Sequence, residues 1–241
     1  MRGLSDEELG ILRQYDTPTI CNVIEVFEVR GRHEGYTDTR IKACYPEMEP
    51  MVGYAATATY RALSPAREGD VYSALDEQVA TFTQIPSPPI VVFQDLDEPT
   101  KAASFGEVMC TTYKTFGAIG LITSGAARDL AQVRGLGFAA FSDGAICSHG
   151  YGHIVDLMVP VSIGGAMVHP GDLLHGDCNG VVVVPNEIAA DVAGLCGEYV
   201  AAEDLVLEYL QGGKVSVEGL KQARAESKRR ITALVERVRV S

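Results

Sequence analysis

Apolar residues recur along this chain with two spacings, one helical and one extended. After Thr17, the residues Ile20, Val23, Ile24 and Phe27 lie three or four positions apart, which predicts an amphipathic helix. Residues 52–60 alternate in the manner of a strand. The same criteria predict further helices over 5–14, 69–85, 104–116, 127–135, 186–211 and 216–238, and further strands over 90–93, 118–123, 138–141, 159–163, 166–168, 173–174 and 181–184.

The order of these elements predicts the fold class. Between residues 90 and 141, short apolar strands alternate with helices, which is typical of parallel βαβ units. After Gly144 the predicted strands are shorter and are separated by Gly, Pro and Asp residues that favour turns. We therefore predict an α/β domain over residues 1–185, followed by a helical extension over 186–241 that we expect to form oligomer contacts.

Composition and charge exclude several classes of protein. The 241 residues carry a net charge of −12, and no basic cluster precedes the last predicted helix, which argues against nucleic-acid binding. Six scattered cysteines form no disulfide pattern and suit a reducing compartment. No apolar segment approaches the ~20 residues of a membrane span, and the N-terminal segment is acidic rather than that of a secretion signal. We expect a soluble cytoplasmic protein with no membrane partner.

Arg128 and Asp129 follow a predicted strand and a small-residue turn, at the predicted start of a helix. The helix dipole alone explains an acid at that position, and Arg128 could simply pair with a neighbouring acid. The functional alternative makes Asp129 a ligand of Mg²⁺ or Mn²⁺, ions that need only one or two protein carboxylates. Arg128 would then donate to a substrate carbonyl oxygen as that oxygen gains negative charge.

Glu107 also admits two interpretations. Ser104-x-x-Glu107 matches a capping box, which would explain the spacing without any chemistry. Alternatively, Glu107 holds a metal-bound water as a general base. The backbone amides of Val108 and Met109 would lie near the helix start, where a substrate carboxylate can bind.

The histidines give weaker signals. His149 and His153 have the spacing of a zinc-binding helix, but the neighbouring glycines and the missing Glu argue against one. We interpret these two as loop residues that could line a pocket. His169 and His175 flank a Pro-Gly-Asp turn, so we expect both at the surface.

Five segments together resemble the RraA-like family, which includes 4-hydroxy-4-methyl-2-oxoglutarate and 4-carboxy-4-hydroxy-2-oxoadipate aldolases and regulators of ribonuclease E activity. The resemblance extends over most of the chain, and it depends on the order and spacing of the segments. They are Thr17-Pro18-Thr19-Ile20, Gly53-Tyr-Ala-Ala-Thr57, Gly106-Glu107-Val108-Met109, Gly125-Ala-Ala-Arg128-Asp129, and the run from Gly164-Gly165 through Pro170-Gly171-Asp172 to Pro185.

The resemblance implies a swivelling β/β/α sandwich that assembles as a homotrimer or homohexamer. It implies a divalent cation at Asp129, an acid at Glu107 that orders a metal-bound water, and substrate binding by Arg128, Gly106, Val108 and Met109. The implied reaction is metal-dependent cleavage of a 2-oxo acid to pyruvate through an enolate, together with decarboxylation of oxaloacetate. Alternatives are a non-catalytic regulator that binds a ribonuclease, and a lyase for a sugar-acid-type substrate.

Two segments depart from the family pattern. Ser124-Gly125 stands where many members have Asp-Gly, and residues 142–153 lack the usual Phe-x-Arg-Gly continuation. The acid and the histidines of the second segment could form a different distal pocket. The sequence therefore leaves the identity of the substrate open.

Overall fold

The protein is described by a computed structural model that covers residues 3–67, 69 and 74–240. Seven α-helices occur in the described part of the chain, and one 3₁₀ turn, Phe82–Gln84, continues the third helix. The helices are α1 Asp6–Leu12, α2 Thr17–Val26, α3 Leu75–Thr81, α4 Glu107–Thr115, α5 Leu130–Gly135, α6 Ala189–Gln211 and α7 Val217–Val240.

Twelve strands occur in the described residues, and eight of them form one mixed sheet in the order β1-β7-β5-β3-β2-β11-β12, with β8 also paired to β2. Strands β2, β3, β5 and β7 are mutually parallel, and the alternating pattern over residues 90–141 predicted this for β3, β5 and β7. The strands are β1 Lys42–Ala43, β2 Met51–Arg61, β3 Pro89–Asp95, β4 Ala103–Phe105, β5 Gly120–Thr123, β6 Ala126–Ala127, β7 Ala139–Ser142, β8 His153–Leu157, β9 Val161–Ile163, β10 Ala166–Val168, β11 Leu173–Asp177 and β12 Gly180–Val184.

Alternation along β2 divides the core between the two faces of the sheet. Ala56 and Tyr60 pack against the helix layer with Phe93 and Tyr113, whereas Ala55 packs on the opposite face in the cluster that includes the small β9–β10 sheet. All residues of β2 except the last are buried, because helices cover one face and strands the other. The resulting order of layers is β/β/α, which confirms the predicted fold class.

Helix α6 begins on the body of the protein, and helix α7 ends there. The buried residues of α6 all lie between Ala189 and Ala202, where the helix packs with α1 and α2 over β11 and β12. Near the end of α7, Arg237 donates two hydrogen bonds to Glu198, at 2.7 and 3.0 Å. None of the helices in the described ranges has an apolar stretch long enough to cross a membrane.

Three sequence predictions were wrong in detail. Ser104 lies in strand β4 and not in a helix, because its hydroxyl pairs with that of Thr123 at 2.9 Å. Residues 153–157 form strand β8, which pairs antiparallel with β2, although His153 was predicted to lie in a loop. The predicted helix over 69–85 is confirmed only from Leu75, and its residues 70–73 lie outside the described part of the chain.

The prediction that His175 lies at the surface was wrong. It is fully buried in β11, where its Nδ1 lies 2.9 Å from the Thr17 hydroxyl and its Nε2 lies 3.1 Å from the carbonyl oxygen of Leu12. Burial lowers the pKa of this imidazole. His169, before the turn, is exposed as predicted, but the strand that follows the turn carries His175 beneath α1 and α2.

Candidate active site

The candidate site lies where two short parallel strands, β4 and β6, meet the helices that follow them. Ala103 and Phe105 pair with Ala126 and Ala127, so the residues just beyond each strand come together. Those residues are Gly106 and Glu107 on one side and Arg128 and Asp129 on the other. The structure thus places side by side the two segments that the sequence singled out.

Asp129 joins the two segments with its side chain. It precedes α5 with a left-handed backbone, φ 54° and ψ 38°, and its Oδ2 accepts a hydrogen bond of 2.9 Å from the backbone N–H of Glu107. The carboxylate therefore satisfies an amide at the start of the neighbouring helix α4 and makes no cap hydrogen bond to its own helix. The side chain of Asp129 therefore links the starts of two helices.

Arg128 extends across Gly106 beside this carboxylate. Its Nε lies 3.8 Å from Asp129 Oδ2, and the two side chains are 25% and 33% exposed, so both remain accessible to a small molecule. A Cβ atom on Gly106 would lie 2.6 Å from Asp129 Oδ2 and 2.9 Å from Arg128 Nε. Only glycine leaves room for both side chains at this point.

The start of α4 offers backbone donors to a ligand. Gly106 is the N-cap residue, and it supplies no side-chain cap to the helix. The amide of Glu107 is bound by Asp129, whereas the amides of Val108 and Met109 lie in the first turn, where helical N–H groups have no intrahelical partner. The predicted capping box between Ser104 and Glu107 is therefore wrong, and Glu107 is an exposed residue at the mouth of the site.

Asp129 fits a divalent cation of the hard, oxygen-binding kind. Within the described part of the chain, its hydrogen bond and its ion pair are both made through Oδ2, which leaves Oδ1 for a ligand. No group of three or more His, Cys, Asp or Glu side chains among the described residues could hold a metal ion. A single carboxylate oxygen suits Mg²⁺ or Mn²⁺, which keep several waters and take one or two protein carboxylates.

A second polar region, which the sequence analysis did not assign, lies at the carboxyl ends of β3 and β5. Here a cavity of about 510 Å³ is lined by Asp95, Ser124, Asp143 and Arg40, among others, but not by Arg128, Asp129 or Glu107. Burial raises the pKa of Asp95, and its Oδ2 is buried with no hydrogen-bond partner in the described structure. A carboxylate at the carboxyl end of an apolar strand is a signal that could have identified this region.

The loop residues that depart from the family pattern are only partly brought into this region. Ser124 and Asp143 line the cavity, and the Ser124 hydroxyl accepts a hydrogen bond of 2.9 Å from the amide of Asp95. His149 and His153 do not line it, and each instead places Nδ1 within 2.9 Å of a backbone carbonyl one or two residues away in the chain. The expectation that the two histidines line a pocket is not met at this cavity.

Comparison with known proteins supports the resemblance to the RraA-like family. A family model described as RraA-like, Aldolase/RraA, matches residues 17–183. A Halalkalibacterium halodurans protein named "Putative 4-hydroxy-4-methyl-2-oxoglutarate aldolase" is 29% identical over 185 residues, which cover 76% of this chain and 80% of that protein.

Solved structures share the architecture at lower identity. An uncharacterized protein from Pseudomonas syringae superposes with a TM-score of 0.73 at 23% identity, over 93% of this chain and 95% of its own. Streptomyces coelicolor RraAS2, described as an unusual member of the RNase ES inhibitor RraA protein family, gives a TM-score of 0.66 at 22% identity, over 85% and 97% of the two chains. At 22–23% sequence identity, the similarity to these two structures supports a shared fold and nothing further.

Proposed function

Since this chain belongs to the RraA-like, Aldolase/RraA family, we propose that it is a divalent-metal-dependent lyase that cleaves a C–C bond next to a 2-oxo acid and releases pyruvate. The observation that carries the proposal is that Arg128, Asp129 and Glu107 lie together at the start of α4, where the first helical amides have no intrahelical partner. The named aldolase relative supports the same reaction class.

Each residue has a role that its position allows. The amides of Val108 and Met109 bind the carboxylate of the 2-oxo acid at the positive end of α4. The guanidinium of Arg128 donates to the C2 oxygen, which becomes negatively charged as the C3–C4 bond breaks. Gly106 keeps Arg128 and Asp129 close enough to act on the same substrate.

Asp129 would hold the cation, Mg²⁺ or Mn²⁺, and a bound cation would supply further electrophilic stabilisation at the 2-oxo acid. Glu107 would accept the proton of the C4 hydroxyl through a water, and that proton loss would release the C4 fragment as a carbonyl compound. The bonding electrons pass to C3 and give the enolate of pyruvate, which is protonated at C3. In oxaloacetate the same bond breaks with loss of CO₂, so one site serves both reactions.

The test is pyruvate release from 4-hydroxy-4-methyl-2-oxoglutarate and from oxaloacetate, each with Mg²⁺, with Mn²⁺ and with EDTA. We expect pyruvate from at least one substrate, and only in the presence of metal. The Arg128→Ala variant distinguishes protein catalysis from decarboxylation by free metal. If the folded, metal-loaded protein is silent with both substrates, the regulator alternative or a sugar-acid substrate replaces this proposal.

A further inference from the structure

The polar cavity at the carboxyl ends of β3 and β5 takes no part in the bond cleavage described above. Its volume is about 510 Å³, and it is lined by Asp95 at the end of β3, Ser124 just after β5 and Ala126 on β6. Small-molecule sites have volumes of ~300–1,000 Å³, and in sheets of parallel strands they lie outside the carboxyl ends of the strands. Both the size and the position of this cavity therefore favour a ligand.

The cavity begins close to the candidate active site. Ala126 and Arg128 lie two positions apart on the segment that pairs with β4, because the N–H of Arg128 continues the pairing by donating to the carbonyl oxygen of Phe105 at 3.3 Å. Ala127, between them, packs in the core, so Ala126 and Arg128 face away from it. Two positions of extended chain cover about 7 Å. A substrate bound at Arg128 by its 2-oxo acid end therefore has its distal carbons within reach of the cavity.

The charges around the cavity oppose an anionic ligand. Four carboxyl groups line it, and they belong to Asp95, Asp97, Glu98 and Asp143. Arg40 is the one base among the described lining residues, and its guanidinium already donates three hydrogen bonds, of 2.7 to 3.1 Å, to Asp38. A phosphate or a second substrate carboxylate would meet repulsion here.

Asp95 lacks part of the hydrogen bonding that a buried carboxyl group needs. Its Oδ1 accepts from the N–H of Asp97 at 3.0 Å, whereas its Oδ2 is buried with no hydrogen-bond partner in the described structure. Asp97, by contrast, accepts at Oδ2 from the backbone N–H groups of Ala62 and Leu63, at 2.6 and 2.8 Å. A buried polar atom without a partner costs stability. A ligand group that donates to the carboxyl of Asp95 would supply the missing hydrogen bond.

Hydrogen-bond donors line the same cavity. The hydroxyl of Ser124 accepts from the amide of Asp95 at 2.9 Å, and no acceptor for its own hydrogen occurs among the described residues. The side chain of Gln94 is oriented by its Oε1, which accepts from the N–H of Ser162 at 2.8 Å and leaves the amide nitrogen as a donor. A fitting ligand must therefore both accept and donate. A hydroxyl group does both, whereas a carboxylate only accepts and an ammonium only donates.

We propose that this cavity binds the distal hydroxyl groups of the substrate, and that Asp95, Ser124 and Gln94 recognise them. The inference rests on the proposed lyase function, and it narrows the substrate to a 2-oxo acid that continues beyond C4 with neighbouring hydroxyl groups and without a second carboxylate. Cleavage follows the reaction described above. The C4 hydroxyl loses its proton, the C3–C4 bond breaks with its electron pair passing to C3, and the distal fragment leaves as a hydroxyaldehyde.

Two substrates that differ only in their distal hydroxyls test this proposal. These are 4,5,6-trihydroxy-2-oxohexanoate and 4-hydroxy-2-oxohexanoate, which share a six-carbon chain, each used as a mixture of C4 epimers. With the metal-loaded wild type, we expect kcat/KM for pyruvate release to be at least about tenfold higher for the trihydroxy acid. In Asp95→Asn, which keeps an acceptor for the amide of Asp97, and in Ser124→Ala, this ratio should approach one through a higher KM for the trihydroxy acid.

Asp191→Asn is the matched control, because it makes the same substitution at an exposed position of α6 that does not line the cavity. We expect it to keep the wild-type ratio. Circular dichroism checks the fold of each variant, and the comparison of the two substrates with wild type holds even if one variant does not fold.

Equal kcat/KM for the two substrates, a wild-type ratio in both cavity variants, or a higher kcat/KM for 4-hydroxy-4-methyl-2-oxoglutarate than for the trihydroxy acid would overturn the inference. The lyase proposal stands as long as any of these substrates or oxaloacetate releases pyruvate with metal. If none does, that proposal fails and binding decides the inference separately, by titration calorimetry of both six-carbon acids in EDTA. Binding of the trihydroxy acid that is about tenfold tighter in wild type but not in Asp95→Asn supports the hydroxyl site, and equal binding overturns it.

Discussion

Asp129 accepts a hydrogen bond of 2.9 Å from the backbone N–H of Glu107, so the residue before α5 caps helix α4 instead of its own. This contact joins two segments that lie twenty-two positions apart in the chain. It also fixes the carboxylate with one oxygen bound and the other available. A metal site built on a single protein carboxylate needs this kind of orientation, since no further ligand from the protein corrects its position.

Asp129→Asn tests the metal assignment with little change of shape. Asparagine adopts the left-handed conformation readily, and its amide oxygen can still accept from Glu107, so the main loss is the negative charge. We expect the affinity for Mn²⁺, measured by titration calorimetry, to fall by more than about tenfold, or ~1.4 kcal/mol. An unchanged Mn²⁺ isotherm would show that Asp129 is not the ligand.

Arg128→Ala should lower turnover by ~10²–10³, the usual effect of removing one donor at a developing oxyanion. Arg128→Lys keeps the charge but loses the planar set of donors, and we expect an intermediate rate. Steady-state kinetics with the more active substrate measure both variants. Near-normal turnover in the alanine variant contradicts the role given to this guanidinium.

Gly106→Ala should separate Arg128 from Asp129, because the added Cβ would come within 2.9 Å of one and 2.6 Å of the other. We expect a folded protein with weakened Mn²⁺ binding and reduced turnover together. Gly194→Ala is the matched control, since no atom lies within 4 Å of a Cβ added there. At that exposed position of α6, alanine should stabilise the protein by up to ~1 kcal/mol and leave activity unchanged. Equal behaviour of the two variants would refute the packing argument.

His175 should make the stability depend on pH. Burial lowers its pKa below the ordinary value near 6.5, so between the two values the unfolded chain binds more protons than the native protein. Stability from this group is complete above the unfolded pKa and falls as the pH drops towards the folded pKa, by ~1.4 kcal/mol for each pH unit between the two pKa values. Thermal unfolding from pH 8 to pH 5 should show a flatter dependence for His175→Gln than for wild type.

The matched control for this experiment is His169→Gln, an exposed histidine six positions earlier in the chain. We expect it to keep the wild-type slope. The His175→Gln variant loses a contact to α2, so its stability at pH 8 should also be lower. The hypothesis is wrong if the slopes of all three proteins coincide.

Most elements of the sheet and the helices could be predicted because local sequence and burial agree there. The strands β2, β3, β5 and β7 have apolar or alternating patterns, and α1, Asp6–Leu12, lies within the helix predicted over 5–14. Ser104 shows where this reasoning fails. Its sequence satisfies a helix-capping rule, but the hydroxyl of Thr123 and pairing with β6 provide a better arrangement in the folded chain.

The sequence by itself determined the order of the elements, the acidic character of the chain and the candidacy of Glu107, Arg128 and Asp129, because these follow from residue type and short-range spacing. The tertiary structure alone decided that Asp129 caps the helix of Glu107 and that His175 is buried under α1 and α2. Hydrogen bonds and packing between residues far apart in the chain decide such features, and no local pattern records them.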